Sequence, residues 1–129
     1  HSLARDLGTL SNMTKHNQRV GAWGEETAAV WLAGKGYEVS RRNVRTPYGE
    51  IDIVAHKNGI VYFVEVKTLT SSKEFFPEHQ ITARKLEHML NSASHYAAEN
   101  GVDQWQIDVI AIEGKPGSEV SIQHFENIQ

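Results

Sequence analysis

The stretch GEIDIVAHKNGIVYFVEVK, residues 49–67, restricts the folds open to this chain more than any other segment. Apolar and polar residues alternate on both sides of Asn58-Gly59, a pair that tolerates positive φ at both positions. That pattern predicts two antiparallel strands joined by a type I′ turn. With Asn58 and Gly59 in the loop, Lys57 pairs with Ile60, and the register then sets Asp52 opposite Glu65 and Glu50 opposite Lys67. Period-two alternation sends these four side chains to one face, with opposed Cβ atoms about 5 Å apart. The other face carries Ile51, Ile53, Ala55, Tyr62, Val64 and Val66 and reads as core. Val54 and Phe63 share the charged face, which argues that this face is partly covered too.

Like charges opposed across a ladder destabilise a sheet, so Asp52 facing Glu65 needs compensation. A divalent cation supplies it, since hard cations take oxygen ligands and are often held by one or two carboxylates. A proton shared between the carboxylates is the other route. Glu50 and Lys67 alone would read as a solvated cross-strand ion pair of little energetic weight. Asp52 does not fit that reading, because aspartate is a poor strand former set here in an apolar run.

At 129 residues the chain suits one core. Residues 1–15 read as a weakly patterned polar tail and 16–129 as a single domain. There is no cysteine, which excludes disulfides, zinc thiolates and thiol nucleophiles. No apolar run is long enough to span a bilayer, and a cytoplasmic location is expected. Net charge is −3, unevenly spread. Lys35–Lys73 holds seven basic and four acidic residues, whereas Glu87 to the end holds one lysine and seven acids. The half with the carboxylates is thus the basic half, as suits contact with a polyanion. The seven histidines show no metal-binding spacing; His88 and His95 stand seven apart on one predicted helix. Neither a G-x-S-x-G elbow nor a phosphate-cradling glycine loop occurs.

Val20, Trp23, Thr27, Val30 and Trp31 carry helical spacing over Asn17–Gly34, and Tyr37–Arg42 alternates as a strand. Thr68–Phe76 reads as a polar loop. A second helix is predicted from about Pro77 or Glu78 to Asn100, ended by Asn100-Gly101. Gln106–Ile112 and Glu119–Phe125 complete the strands. The expected fold class is α/β, in the order α-β-β-β-α-β-β, with a mixed central sheet flanked by helices. The second helix is the crossover that makes Ile60–Lys67 and Gln106–Ile112 parallel neighbours.

An acidic residue in the first helix, an aspartate on one strand and Glu-x-Lys on the next resemble the PD-(D/E)xK nuclease superfamily, whose fold is restriction-endonuclease-like. More narrowly, Gly21-Ala22-Trp23-Gly24-Glu25, the GEIDIVA segment, Phe63-Val64-Glu65-Val66-Lys67, Lys85 and Asp108-Val109 are similar to the YraN family of bacterial proteins, themselves similar to archaeal Holliday-junction resolvases. The chain departs from that family at Leu69, where arginine is common, and at Gln106-Ile107. The resemblance implies Mg²⁺- or Mn²⁺-dependent hydrolysis of phosphodiester bonds in nucleic acid, DNA rather than RNA, by an endonuclease acting on branched repair or recombination intermediates. It implies Asp52 and Glu65 as metal ligands, the Val66 carbonyl as a third, and Glu25 as a ligand directly or through water. Read without the resemblance, Glu25 is equally a helix-surface carboxylate. Lys67 would orient the attacking water or stabilise charge on phosphorus, and Glu50 would hold Lys67 or a second cation. Arg42, Arg45, Gln80, Arg84 and Lys85 are candidates for phosphate contact. Asp108 is expected to be structural, and a homodimer follows by analogy with resolvases. The competing expectation is a nuclease-fold protein that binds nucleic acid as a scaffold without efficient turnover.

Overall fold

The computed structural model describes residues 19–69 and 81–129. Helix α1 is described over residues 19–34. It is followed by β1 (Glu38–Thr46), β2 (Gly49–Lys57), β3 (Ile60–Leu69), α2 (Ala83–Asn100), β4 (Trp105–Glu113) and β5 (Ser121–Phe125). The five strands form one sheet in the order β1-β2-β3-β4-β5. Only β3 and β4 run parallel, joined through α2, and the other pairs are antiparallel. The α/β class and the α-β-β-β-α-β-β order read from the sequence are the observed ones.

Local chemistry sets the boundaries. Asn58 and Gly59 both adopt positive φ (52° and 81°), as a type I′ turn requires, and Lys57 pairs with Ile60. Helix α2 begins later than the predicted Pro77 or Glu78, because Ile81 and Thr82 are non-helical. Thr82 is its N-cap, and the side chain accepts the Lys85 N–H. A cap of this kind is worth about 1 kcal/mol. At the far end Gly101 takes the left-handed conformation, and the Val102 N–H reaches back to the Ala97 carbonyl at 2.9 Å. The predicted loop over Thr68–Phe76 starts later: Thr68 and Leu69 still belong to β3, and the rest lies outside the described residues.

The sheet is covered on both faces. Ala28, Ala29 and Leu32 of α1 pack with Ile53, Ala55, Tyr62, Val64, Ile110 and Ile112. Ala93 and Tyr96 of α2 pack with Val44, Ile51, Val54, Val61, Phe63 and Ile107. Two-sided burial explains the unbroken apolar run of β3, since a central strand between two helical layers has no water-facing side. Trp23 and Trp31 lie partly buried against the α1 layer, as their spacing suggests.

The core face of β2 differs from the one expected from strict alternation. Ile51 does not share a face with Ile53; it packs under α2 with Val54 and Phe63. The alternation slips at Asp52. Arg42 pairs with Ile53 and Val44 with Ile51, and between these pairs Asn43 holds a φ of 53°. A residue in the left-handed region interrupts the pleat of β1 at that point. The β2–β3 ladder also stops at Ile53–Val64, short of the residues that carry charge.

Candidate metal centre

Where β2 and β3 part, Asp52 turns its carboxylate toward β3 and accepts the Val66 N–H at 2.9 Å. A side chain thus replaces the backbone partner that the ladder no longer supplies. Asp52 is not the ladder partner of Glu65, nor Glu50 that of Lys67, as an uninterrupted hairpin would have made them. Glu50 instead pairs with Arg45 of β1. The acids nonetheless converge. Carboxylate oxygens of Glu25, Glu50 and Asp52 lie within 4.8 Å of one another. Glu65 adds its charge from β3, with only 11 % of its side chain exposed.

The electrostatics show the crowding. Burial, then the Glu65 charge, pushes the Asp52 carboxyl up to about 7, against the opposing pull of the Val66 N–H. Glu25 and Glu50 push the same way. Glu25 is itself raised, chiefly by burial and then by Glu50 and Glu65, while the Asn43 side chain and Arg42 hold it down. Two oxygens bound to one Mg²⁺ lie about 3–4 Å apart, given metal–oxygen bonds near 2.1 Å in octahedral geometry. The observed spread closes to that with small side-chain movements, and every donor is a hard oxygen. The donor set therefore fits a divalent cation, with Glu25, Glu50 and Asp52 in reach and Glu65 beside them.

Glu25 reaches this point because α1 descends closely on β3. A Cβ at Gly24 would overlap the Thr68 hydroxyl and come within 3.7 Å of Val66 Cγ1. The missing side chain lets the helix seat its next residue over the acidic cluster. Gly24 entered the sequence reading only as part of a motif, and Asn43 not at all. An asparagine inside a strand, able to adopt positive φ, was the available signal.

The other candidates separate. Lys67 is half-buried on β3, two residues beyond Glu65. Lys85, from the first turn of α2, places its ammonium 3.4 Å from Glu65, so it joins the cluster. Arg42 is ion-paired to Glu26 at 2.7 Å on α1. Arg45 and Arg84 are exposed, and Gln80 lies outside the described residues. The side chain of Val66 packs on the α1 layer.

A second grouping joins His124 and Glu126 to Asp108, the aspartate expected to be structural, although the histidines have no metal-binding spacing in the sequence. The fully buried Asp108 accepts from Gln106 Nε2 and the Asn127 N–H on one oxygen and lies 2.7 Å from His124 Nε2 on the other. Both oxygens are already bonded, and the group anchors the C-terminal segment to β4, as expected for a structural aspartate. No helix among the described residues is long and apolar enough to cross a membrane.

Comparison with known proteins places the chain in a family. The chain is 39% identical over 115 residues to a UPF0102 protein of Syntrophotalea carbinolica, covering 88% of this chain and 93% of that one. It is 40% identical over 116 residues to one from Trichlorobacter lovleyi, covering 88% and 91%, and equally identical to one from Roseiflexus castenholzii, covering 87% and 94%. The family model described as uncharacterised protein family UPF0102 matches residues 24–112, from the glycine within α1 to Ile112 near the end of β4, and the chain belongs to that family, also known as YraN.

Proposed function

We propose that this protein is a metal-dependent endonuclease that hydrolyses phosphodiester bonds in DNA, using Mg²⁺ or Mn²⁺. The observation that carries the reading is Asp52. It is a carboxylate within β2, fixed to the next strand by the Val66 N–H where the ladder has ended, with Glu25, Glu50 and Glu65 around it. Such an arrangement is costly to an empty protein and rewarding to one that binds a cation. Glu25, Glu50 and Asp52 would hold the ion, with Glu65 beside them adding its charge from β3. When bound, the cation neutralises charge on the scissile phosphate and makes a bound water a stronger nucleophile. Lys67 follows Glu65 on the same face of β3, from which its ammonium would orient an attacking water and offset charge developing on phosphorus. Lys85 holds Glu65 in place through its ion pair.

The test is incubation of the purified chain with linear, single-stranded, flap and four-way-junction DNA in Mg²⁺, Mn²⁺ or EDTA. Cleavage is expected in Mn²⁺ and absent in EDTA. Lys67→Ala and Asp52→Asn should each lower the rate by a factor on the order of 100 or more, the scale of losing one charge-stabilising group. Binding without cleavage in every metal would instead identify a nucleic-acid-binding scaffold.

A further inference from the structure

Tyr48 is one of only two large apolar side chains that stand well exposed among the described residues, at 50%. It sits at the tip of the β1–β2 turn, two residues before Glu50. The turn is pinned. Thr46 Oγ1 accepts the Tyr48 N–H at 3.1 Å, bonds the Gly49 carbonyl at 2.8 Å, and bonds the hydroxyl of the buried Ser92 on α2 at 3.0 Å. The Tyr48 ring meets the ring of His95 edge-on, with centroids 6.0 Å apart. That contact steadies the ring, while half of the residue's surface stays accessible. Glu50, Lys85, His88 and Met89 line one groove with it. A pinned, half-exposed aromatic thus adjoins a carboxylate of the acidic cluster, a lysine and a histidine.

We infer that Tyr48 is a stacking platform for one unpaired base of the strand whose phosphates pass Lys85 and His88. The inference rests on the nuclease reading of the adjoining carboxylates and adds the substrate class: polynucleotides with unpaired bases beside the cleaved phosphate. A base within a duplex has both faces stacked on its neighbours, so an aromatic beside the backbone can take only a base already out of the stack. Lys85, 41% exposed while paired with Glu65, offers phosphate the compensating charge. His88 is exposed one turn further along α2.

The experiment measures binding of the full chain, in calcium, to a fluorescent blunt duplex and to the same duplex bearing a three-nucleotide single-stranded overhang. The readout is the ratio of the two affinities. The overhang form should bind roughly tenfold more tightly, the scale of one stacked base. Tyr48→Ala and Tyr48→Leu should bring the ratio close to one, and Tyr48→Phe should keep it, with circular dichroism confirming the fold of each. A ratio near one in the unaltered protein, an unchanged ratio in Tyr48→Ala, or binding to neither oligonucleotide overturns the proposal. Cleavage assays fail separately: cutting in Mn²⁺ with an unchanged ratio removes only the platform, whereas a Tyr48-dependent ratio without cutting removes only the nuclease.

Discussion

Asp52 is the residue on which the proposed chemistry turns, and its environment makes a measurable claim about stability. Its carboxyl is raised from the ordinary range near 4 to about 7 by burial and by Glu65. A carboxyl raised in the folded state means that the native protein holds more protons than the unfolded chain between those values. The stability this proton confers is complete below about pH 4 and is lost as pH climbs through 7. Metal-free protein should therefore melt at a lower temperature at pH 8 than at pH 5. Asp52→Asn should remove most of that slope and gain on the order of 2 kcal/mol at pH 8. Manganese should raise the melting temperature strongly at pH 8 and little at pH 5, because the ion competes with the proton for the same oxygens. A melting profile that Asp52→Asn leaves unchanged would contradict the crowded cluster. The aspartate itself was legible in the sequence as a misfit in an apolar strand. Its bond to Val66 was not, because nothing in a ladder pattern announces where the ladder stops.

At the scale of elements, the site depends on how near α1 comes to β3. Alanine normally favours a helix interior over glycine by about 1 kcal/mol. At Gly24 the sign should reverse, since an added methyl meets the Thr68 hydroxyl and lies close to Val66. Gly24→Ala is expected to destabilise the protein by about 1–3 kcal/mol, the usual range for overpacking. It should also weaken manganese binding by lifting Glu25 away from Asp52. The double variant Gly24→Ala with Thr68→Ala should recover most of both losses, measured by denaturant titration and calorimetry. Full additivity of the two substitutions would mean that the contact does not set the helix position. The helices themselves were readable from 3.6-residue spacing. The start of α2 was misplaced because Glu78 and Ile81 suit a helix, whereas the cap is decided by Thr82 accepting the Lys85 N–H.

Across the whole molecule, two helical layers enclose the sheet, and the carboxylates gather at the end where β2 and β3 separate. The C-terminal segment closes the structure at β4. The Asn127 N–H bonds Asp108, the Ile128 N–H bonds the Ile107 carbonyl, and the Ile107 N–H bonds the Gln129 side chain. Asp108→Ala would take the shared acceptor away from the part-buried contacts of Gln106, Asn127 and His124, with a loss of about 1–3 kcal/mol. Amide exchange over residues 126–129 should speed up, while manganese affinity changes less than twofold. A drop in metal affinity as large as that of Asp52→Asn would show that Asp108 serves the site. By itself the sequence determined the hairpin, the order of elements, the parallel β3–β4 crossover and the identity of the acids, because these follow from periodicity, turn chemistry and composition along neighbouring residues. Only the tertiary structure decided the slip at Asn43 and Asp52, the move of Ile51 to the α2 layer, the approach of Glu25 over Gly24 and the recruitment of Lys85 to Glu65. Each of those is settled by contacts between segments far apart in the chain, where packing and desolvation outweigh local pattern.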